Sequence, residues 1–166
     1  INSFLFTFPF TNQSTEWFPL FKQWGFDSVE IAIDDPEALD VVKIRSALDK
    51  NGLVCGSICG VFGPGRDLRG SIEDQESSSV YIKKVINLMK DLGCTVFAGP
   101  MYSSVGRANA ESPEDYANQW KLVKSHLSTL AKLAENKGVI LAIEPLNRFE
   151  TDFINTVDQA LKMVKE

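Results

Sequence analysis

The stretch Val139–Thr156, reading VILAIEPLNRFETDFINT, concentrates the side chains able to do chemistry: Glu144, Asn147, Arg148, Glu150 and Asp152. Val139 to Ile143 form an unbroken apolar run, the pattern of a parallel strand covered on both faces. Glu144 breaks the run and Pro145 stops the strand behind it. A carboxylate at the C-terminal lip of a parallel strand stands where α/β proteins place their reacting groups. The alternative is a structural ion pair, with Arg148 as partner, because such pairs occupy the same positions.

The elements that must position these groups alternate along the chain. Apolar runs predict strands at 3–8, 28–33, 53–61, 95–101 and 139–144. Each is followed by a helical pattern. Ser14 is read as the N-cap of a helix carrying Trp17, Phe18, Phe21 and Trp24, closed by Gly25. Asp34, Asp35 and Pro36 start a helix with Ala38, Val41, Ile44 and Leu48 on one face, ended by Asn51-Gly52. Helices over 79–92 and 116–136 follow, stopped by Gly93 and Lys137-Gly138. Asn155 or Thr156 caps a last helix over Val157, Leu161 and Val164. Such alternation implies βαβ units and a parallel sheet. The long polar, Gly- and Pro-rich loops follow strand C-termini, the asymmetry of a (β/α)-barrel catalytic face. A doubly wound sheet is the structural rival, but its glycine-rich first loop is replaced here by PFTNQSTEW.

At 166 residues one domain is expected. The net charge of −5, without a basic stripe, disfavours a nucleic-acid partner and suits a small polar substrate. No apolar run is long enough to span a membrane. Cys55, Cys59 and Cys94 are read as reduced thiols of a cytoplasmic protein; Cys55 and Cys59 lack the second pair that a zinc site needs. The single histidine, His126, falls mid-helix, far from any strand C-terminus, and is read as a solvated or half-buried helix residue. GVFGPGRDLRGS, from Gly60, lacks the Gly-Lys-Ser/Thr ending of a phosphate loop and is read as an active-site or connecting loop. The chain opens on Ile1 rather than Met, through a removed start or as part of a longer protein.

EPLNRFETDFINT closely resembles the fifth-strand motif of the D-tagatose/D-psicose (allulose) ketose 3-epimerases, divalent-metal enzymes on the xylose-isomerase-like TIM barrel. The likeness extends more loosely to Phe4–Phe8 with Ser14-Thr15-Glu16-Trp17, and to Gly99-Pro100-Met101-Tyr102. It implies a (β/α)8 barrel of which residues 1–166 form one incomplete domain, the first five βα units. It implies epimerisation of a free ketohexose or ketopentose at C3, by proton removal and return through an enediolate. Glu144 is then metal ligand and proton carrier. Glu150 binds substrate hydroxyls, and Trp17, Pro100 and Leu5 line the pocket. Mn²⁺ or Co²⁺ is the implied cofactor, with its remaining ligands expected beyond residue 166. The implied partners are a small ketose and, in the full-length protein, a second copy of the chain.

Two other classes of function compete. One is another enzyme on this barrel, a sugar isomerase or an inosose dehydratase. An apurinic-site endonuclease would need several histidines and basic loops absent from this sequence. The other is a sugar-binding fragment without turnover, with strand edges open to association.

Overall fold

The computed structural model describes residues 1–110 and 112–166. Four strands form a parallel sheet in the order β1 (Ser28–Ile33), β2 (Val54–Gly60), β3 (Val96–Gly99), β4 (Ile140–Ile143). Helices connect them: α2 (Val41–Lys50), α3 (Ile72–Leu92) and α4 (Pro113–Asn136), with α1 (Phe18–Gln23) before the sheet and α5 (Val157–Lys165) after it. These strands are the predicted second to fifth, displaced by at most two residues at either end.

The predicted first strand is the exception. Residues Ser3–Leu5 make a 3-10 turn, and only an isolated bridge joins Asn2 to Glu30. One local bond and one to β1 accompany the change. Asn2 Oδ1 accepts from Phe4 N–H, and Ser3 Oγ, fully buried, accepts from Ala32 N–H. The apolar residues that suggested a strand stay outside: Phe4, Leu5 and Phe8 are 46%, 76% and 53% exposed. Ser14 is not a helix N-cap either. Thr11 caps a 3-10 turn over Asn12–Trp17, and Ser14 closes the reciprocal bond back to Thr11 N–H.

The chain divides into two compact units. The first comprises Ile1–Val61, Lys84–Phe97 and Ala134–Leu141. Its core includes Phe18, Phe21, Ile31, Ile33, Ile44, Leu48, Ile58 and Phe97, all fully buried. β1 and β2 pair in parallel with an irregularity between Val29 and Glu30, which sets Glu30 opposite Ser57. Glu30 thereby accepts from both Ser57 Oγ and Asn2 Nδ2. Cys55 Sγ lies 3.6 Å from Ser57 O and Cys94 Sγ 3.5 Å from Val96 O; the neighbouring Cys94 thiol and burial push Cys55 up, and Cys55 in turn holds Cys94 down to about 7.

Gly93 closes α3 in the left-handed region at φ +70°, and a Cβ there would collide with the Arg45 guanidinium. Arg45 is held by Asp49 and by the Leu92 carbonyl. Gly138 has almost the same φ, +69°, with open space around it. Alanine at either position bears the left-handed penalty of ~1–2 kcal/mol, but only Gly93→Ala must also displace Arg45. Thermal melts should therefore show the larger drop for Gly93→Ala. Equal drops would mean that Arg45 moves aside freely.

The second unit comprises Phe62–Lys83, Ala98–Leu133 and Ala142–Glu166. Phe62, Leu68, Ile82, Tyr102, Val123, Phe153 and Ile154 fill its core. Phe153 is its aromatic hub, with ring centroids of Tyr102, Tyr116 and Trp120 at 5.7, 5.1 and 5.6 Å. β4 is less covered than its apolar run suggested: Ile140 is 62% exposed and Leu141–Ile143 are half-buried. Its place last in the sheet order, with β3 as its neighbour, accounts for this.

Candidate active site

In the second unit Glu144 directly follows β4 and is exposed. Its backbone is pinned from two directions. Glu144 N–H donates to Gly99 O at 3.1 Å, continuing the β3–β4 ladder. Its carbonyl accepts from Tyr102 Oη at 2.9 Å, a hydroxyl that also lies 3.1 Å from Ile154 O. Burial pushes the Tyr102 phenol well above its ordinary range, so it remains a donor. Tyr102 and the buried Pro100 come from the predicted Gly99–Tyr102 loop, so this loop supports the strand end that carries Glu144.

The segment after Glu144 is a closed loop. Leu146 N–H donates to Ile154 O at 3.0 Å, and Asn155 Nδ2 reaches the carbonyls of Leu146 and Thr151, each at 2.9 Å. Thr156, one of the two proposed caps, starts α5 through a reciprocal bond with Gln159; Asn155 serves the loop instead. Within the loop, Asn147 Oδ1 accepts from Phe149 N–H, and Asn147 Nδ2 donates to the half-buried Glu150 carboxylate. Gly106 N–H donates to Glu150 O at 2.7 Å, so both ends of this residue are held.

Asp152 carries a second set of bonds. Its Oδ1 lies 2.7 Å from Arg69 Nη2, and its Oδ2 accepts from Ala110 N–H at 2.7 Å. Partial burial pushes the carboxyl up, but these bonds and the Arg69 charge outweigh it and leave it below its ordinary value. Arg69 belongs to the loop from Gly60 that was read as an active-site or connecting loop. Arg148 stacks over the Phe149 ring.

Glu144, Glu150 and Pro100 thus share the second unit. Leu5 and Trp17 belong to the first. Leu5 is exposed at the 3-10 turn; Trp17 is half-buried, packed against Phe6 and Phe21 at 5.5 and 6.3 Å. His126, half-buried on α4, lies 3.0 Å from Gln75 Oε1, as a helix residue would. Sequence reading passed over Tyr102, Arg69 and Asn155 as functional supports. Only the Gly-Pro-Met-Tyr likeness pointed near one of them.

Residues 18–166 match the family described as xylose isomerase-like TIM barrel. A ketose 3-epimerase from Arthrobacter globiformis is 29% identical over 149 residues, spanning 87% of this chain and 49% of the relative. An L-ribulose 3-epimerase from Mesorhizobium japonicum is 28% identical over 146 residues, spanning 87% and 48%. A solved L-ribulose 3-epimerase superposes with a TM-score of 0.86 at 25% identity, covering 99% of this chain and 55% of its own. The chain therefore spans about half the length of the curated relatives it matches.

Proposed function

Because this chain belongs to the xylose isomerase-like TIM barrel family, we propose that residues 1–166 are the N-terminal part of a ketose 3-epimerase, one incomplete barrel domain. The observation that carries this reading is the exposed Glu144 at the end of β4, on a backbone pinned by Gly99 and Tyr102. A parallel strand's C-terminal end is where this fold performs its chemistry.

Epimerisation at C3 needs a base, because the C2 carbonyl acidifies the C3–H bond only modestly. The Glu144 carboxylate takes the C3 proton, and the C–H electron pair moves into a C2–C3 enediolate. A second carboxylate, from barrel residues outside this chain, returns a proton to the opposite face. Glu150 accepts hydrogen bonds from substrate hydroxyls, its carboxylate aimed by Asn147. Pro100, in the same unit as Glu144 and Glu150, provides an apolar wall beside the sugar.

The implied cation fits Glu144 as one hard oxygen donor. Among the described residues there is no group of three or more His, Cys, Asp or Glu that could hold an ion; the epimerase reading itself places the other donors outside this chain. Mn²⁺ or Co²⁺, when bound, supplies a Lewis acid that polarises the C2 carbonyl. The same reading gives a small ketose as partner and a cytoplasmic homo-oligomer as the working form; no helix of the described residues is long and apolar enough to cross a membrane.

The test is a substrate panel on a complete barrel containing these residues, with Mn²⁺ or Co²⁺, read for C3 epimer, aldose and dehydrated product. C3 epimer as the dominant product is expected; dominant aldose or dehydrated product would assign the isomerase or dehydratase chemistry instead. Within that barrel, Glu150→Gln should raise KM or lower kcat moderately while metal content is retained. Asn147→Ala, which frees the Glu150 carboxylate, should move the same constants in the same direction. An unchanged KM and kcat in both variants would remove Glu150 from substrate binding.

A further inference from the structure

We propose that Arg69 is a positioning residue of this site: one buried guanidinium locks the loops after β2, β3 and β4 together and so fixes the segment carrying Glu144 and Glu150. The Arg69 side chain is fully buried, 0% exposed. Each arm of its fork ends on a different element. Nε donates to Gln119 Oε1 on α4 at 2.7 Å, Nη1 to Ser103 Oγ after β3 at 3.3 Å, and Nη2 to Asp152 Oδ1 after β4 at 2.7 Å. The guanidinium also lies 4.6 Å above the Phe153 ring. Only a planar, five-donor group reaches three partners in this way; lysine cannot.

The surrounding bonds turn this fork into a lock. Asp67, in the same loop as Arg69, accepts from Arg69 N–H and Ser104 Oγ and pairs with Arg107 at 2.9 Å. Arg107 forms an isolated parallel bridge with Thr151, next to Glu150. Asp152 stands two residues from Glu150 and accepts from Ala110 N–H as well as from Arg69. The β2 loop, with no residue assigned to substrate here, therefore determines where the β4 loop sits.

This proposal rests on the epimerase reading, and its test separates the two. The decisive variant is the double replacement of Arg69→Met with Asp152→Leu, which removes the lock without leaving a buried charge unpaired; such exchanges are often neutral for stability. A lock that only stabilises the fold predicts no change in kinetics when the melting temperature holds. A positioning lock predicts kcat/KM lowered by on the order of 10²-fold, because a loop displaced by about 1 Å costs that much. Arg69→Lys should fall between the wild type and the double variant. If the double variant does not fold, Asp152→Asn, which keeps shape and removes the charge, is judged by the same ratio. Hydrogen exchange gives a readout independent of turnover: amides of 146–154 should exchange faster in the variant. A folded variant with wild-type kcat/KM and unchanged exchange overturns the positioning role. A wild-type barrel that epimerises no ketose, yet shows faster exchange in the variant, overturns the epimerase reading and leaves the lock standing.

Discussion

Glu144→Gln in a complete barrel is expected to lower ketose turnover by about 10²–10⁴-fold, the share that general acid–base catalysis ordinarily supplies. Glutamine has the same shape as glutamate, but its amide oxygen is not basic enough to take the C3 proton. The backbone bonds that hold residue 144, to Gly99 and from Tyr102, do not depend on the carboxylate. The strand end should therefore stay where it is while the chemistry fails. Metal content should fall as well, because a neutral amide oxygen is a poorer ligand than a carboxylate for a hard cation. Steady-state kinetics beside a melting curve check this. The ion-pair alternative gives the opposite pattern: a lowered melting temperature with near-normal kcat in the protein that remains folded.

The largest stability loss is expected at Phe153. Its ring is fully buried between Tyr102, Tyr116 and Trp120, with the Arg69 guanidinium over it. Phe153→Ala removes that hub and leaves a cavity that three aromatic rings cannot fill by small shifts. Comparable truncations cost about 3–5 kcal/mol. For a chain of this size each kcal/mol moves the melting temperature by roughly 2–4 °C. Phe149, four residues earlier in the same loop, is 81% exposed. Phe149→Ala should change stability by no more than about 0.5 kcal/mol. Chemical denaturation of the two variants side by side checks the contrast; similar losses would contradict the packing described for Phe153.

Much of this was legible in the sequence because it is local. Ser28–Ile33 and the Val139 strand announce themselves by apolar runs ended by turn residues, and Glu144 and Glu150 lie in one continuous motif. Local bonds that compete with apolar pattern were harder to see. The Phe- and Leu-rich start reads as a strand, yet Asn2 captures the Phe4 amide, Ser3 reaches the Ala32 amide on β1, and the segment bends into a 3-10 turn. Helix α3 begins at Ile72, well before the expected 79, because Ser71 and Asp74 exchange capping bonds ahead of a serine-rich stretch that resembles a loop. The bonds that support the site were not legible, although Tyr102 and Asp152 lay in stretches the sequence singled out. Arg69 and Asp152 are 83 residues apart, and Tyr102 reaches Glu144 across 42. No spacing rule connects such partners; only the folded sheet brings them together.

Exchange of solvent deuterium into C3 of a ketose tests the role of Glu144 most directly, because it reports proton removal whether or not the epimer is released. In D₂O, with Mn²⁺ or Co²⁺, the wild-type barrel should label C3 and Glu144→Gln should label it slower by about 10²-fold or more. A folded Glu144→Gln protein that labels C3 at the wild-type rate would contradict the assignment of Glu144 as the proton carrier.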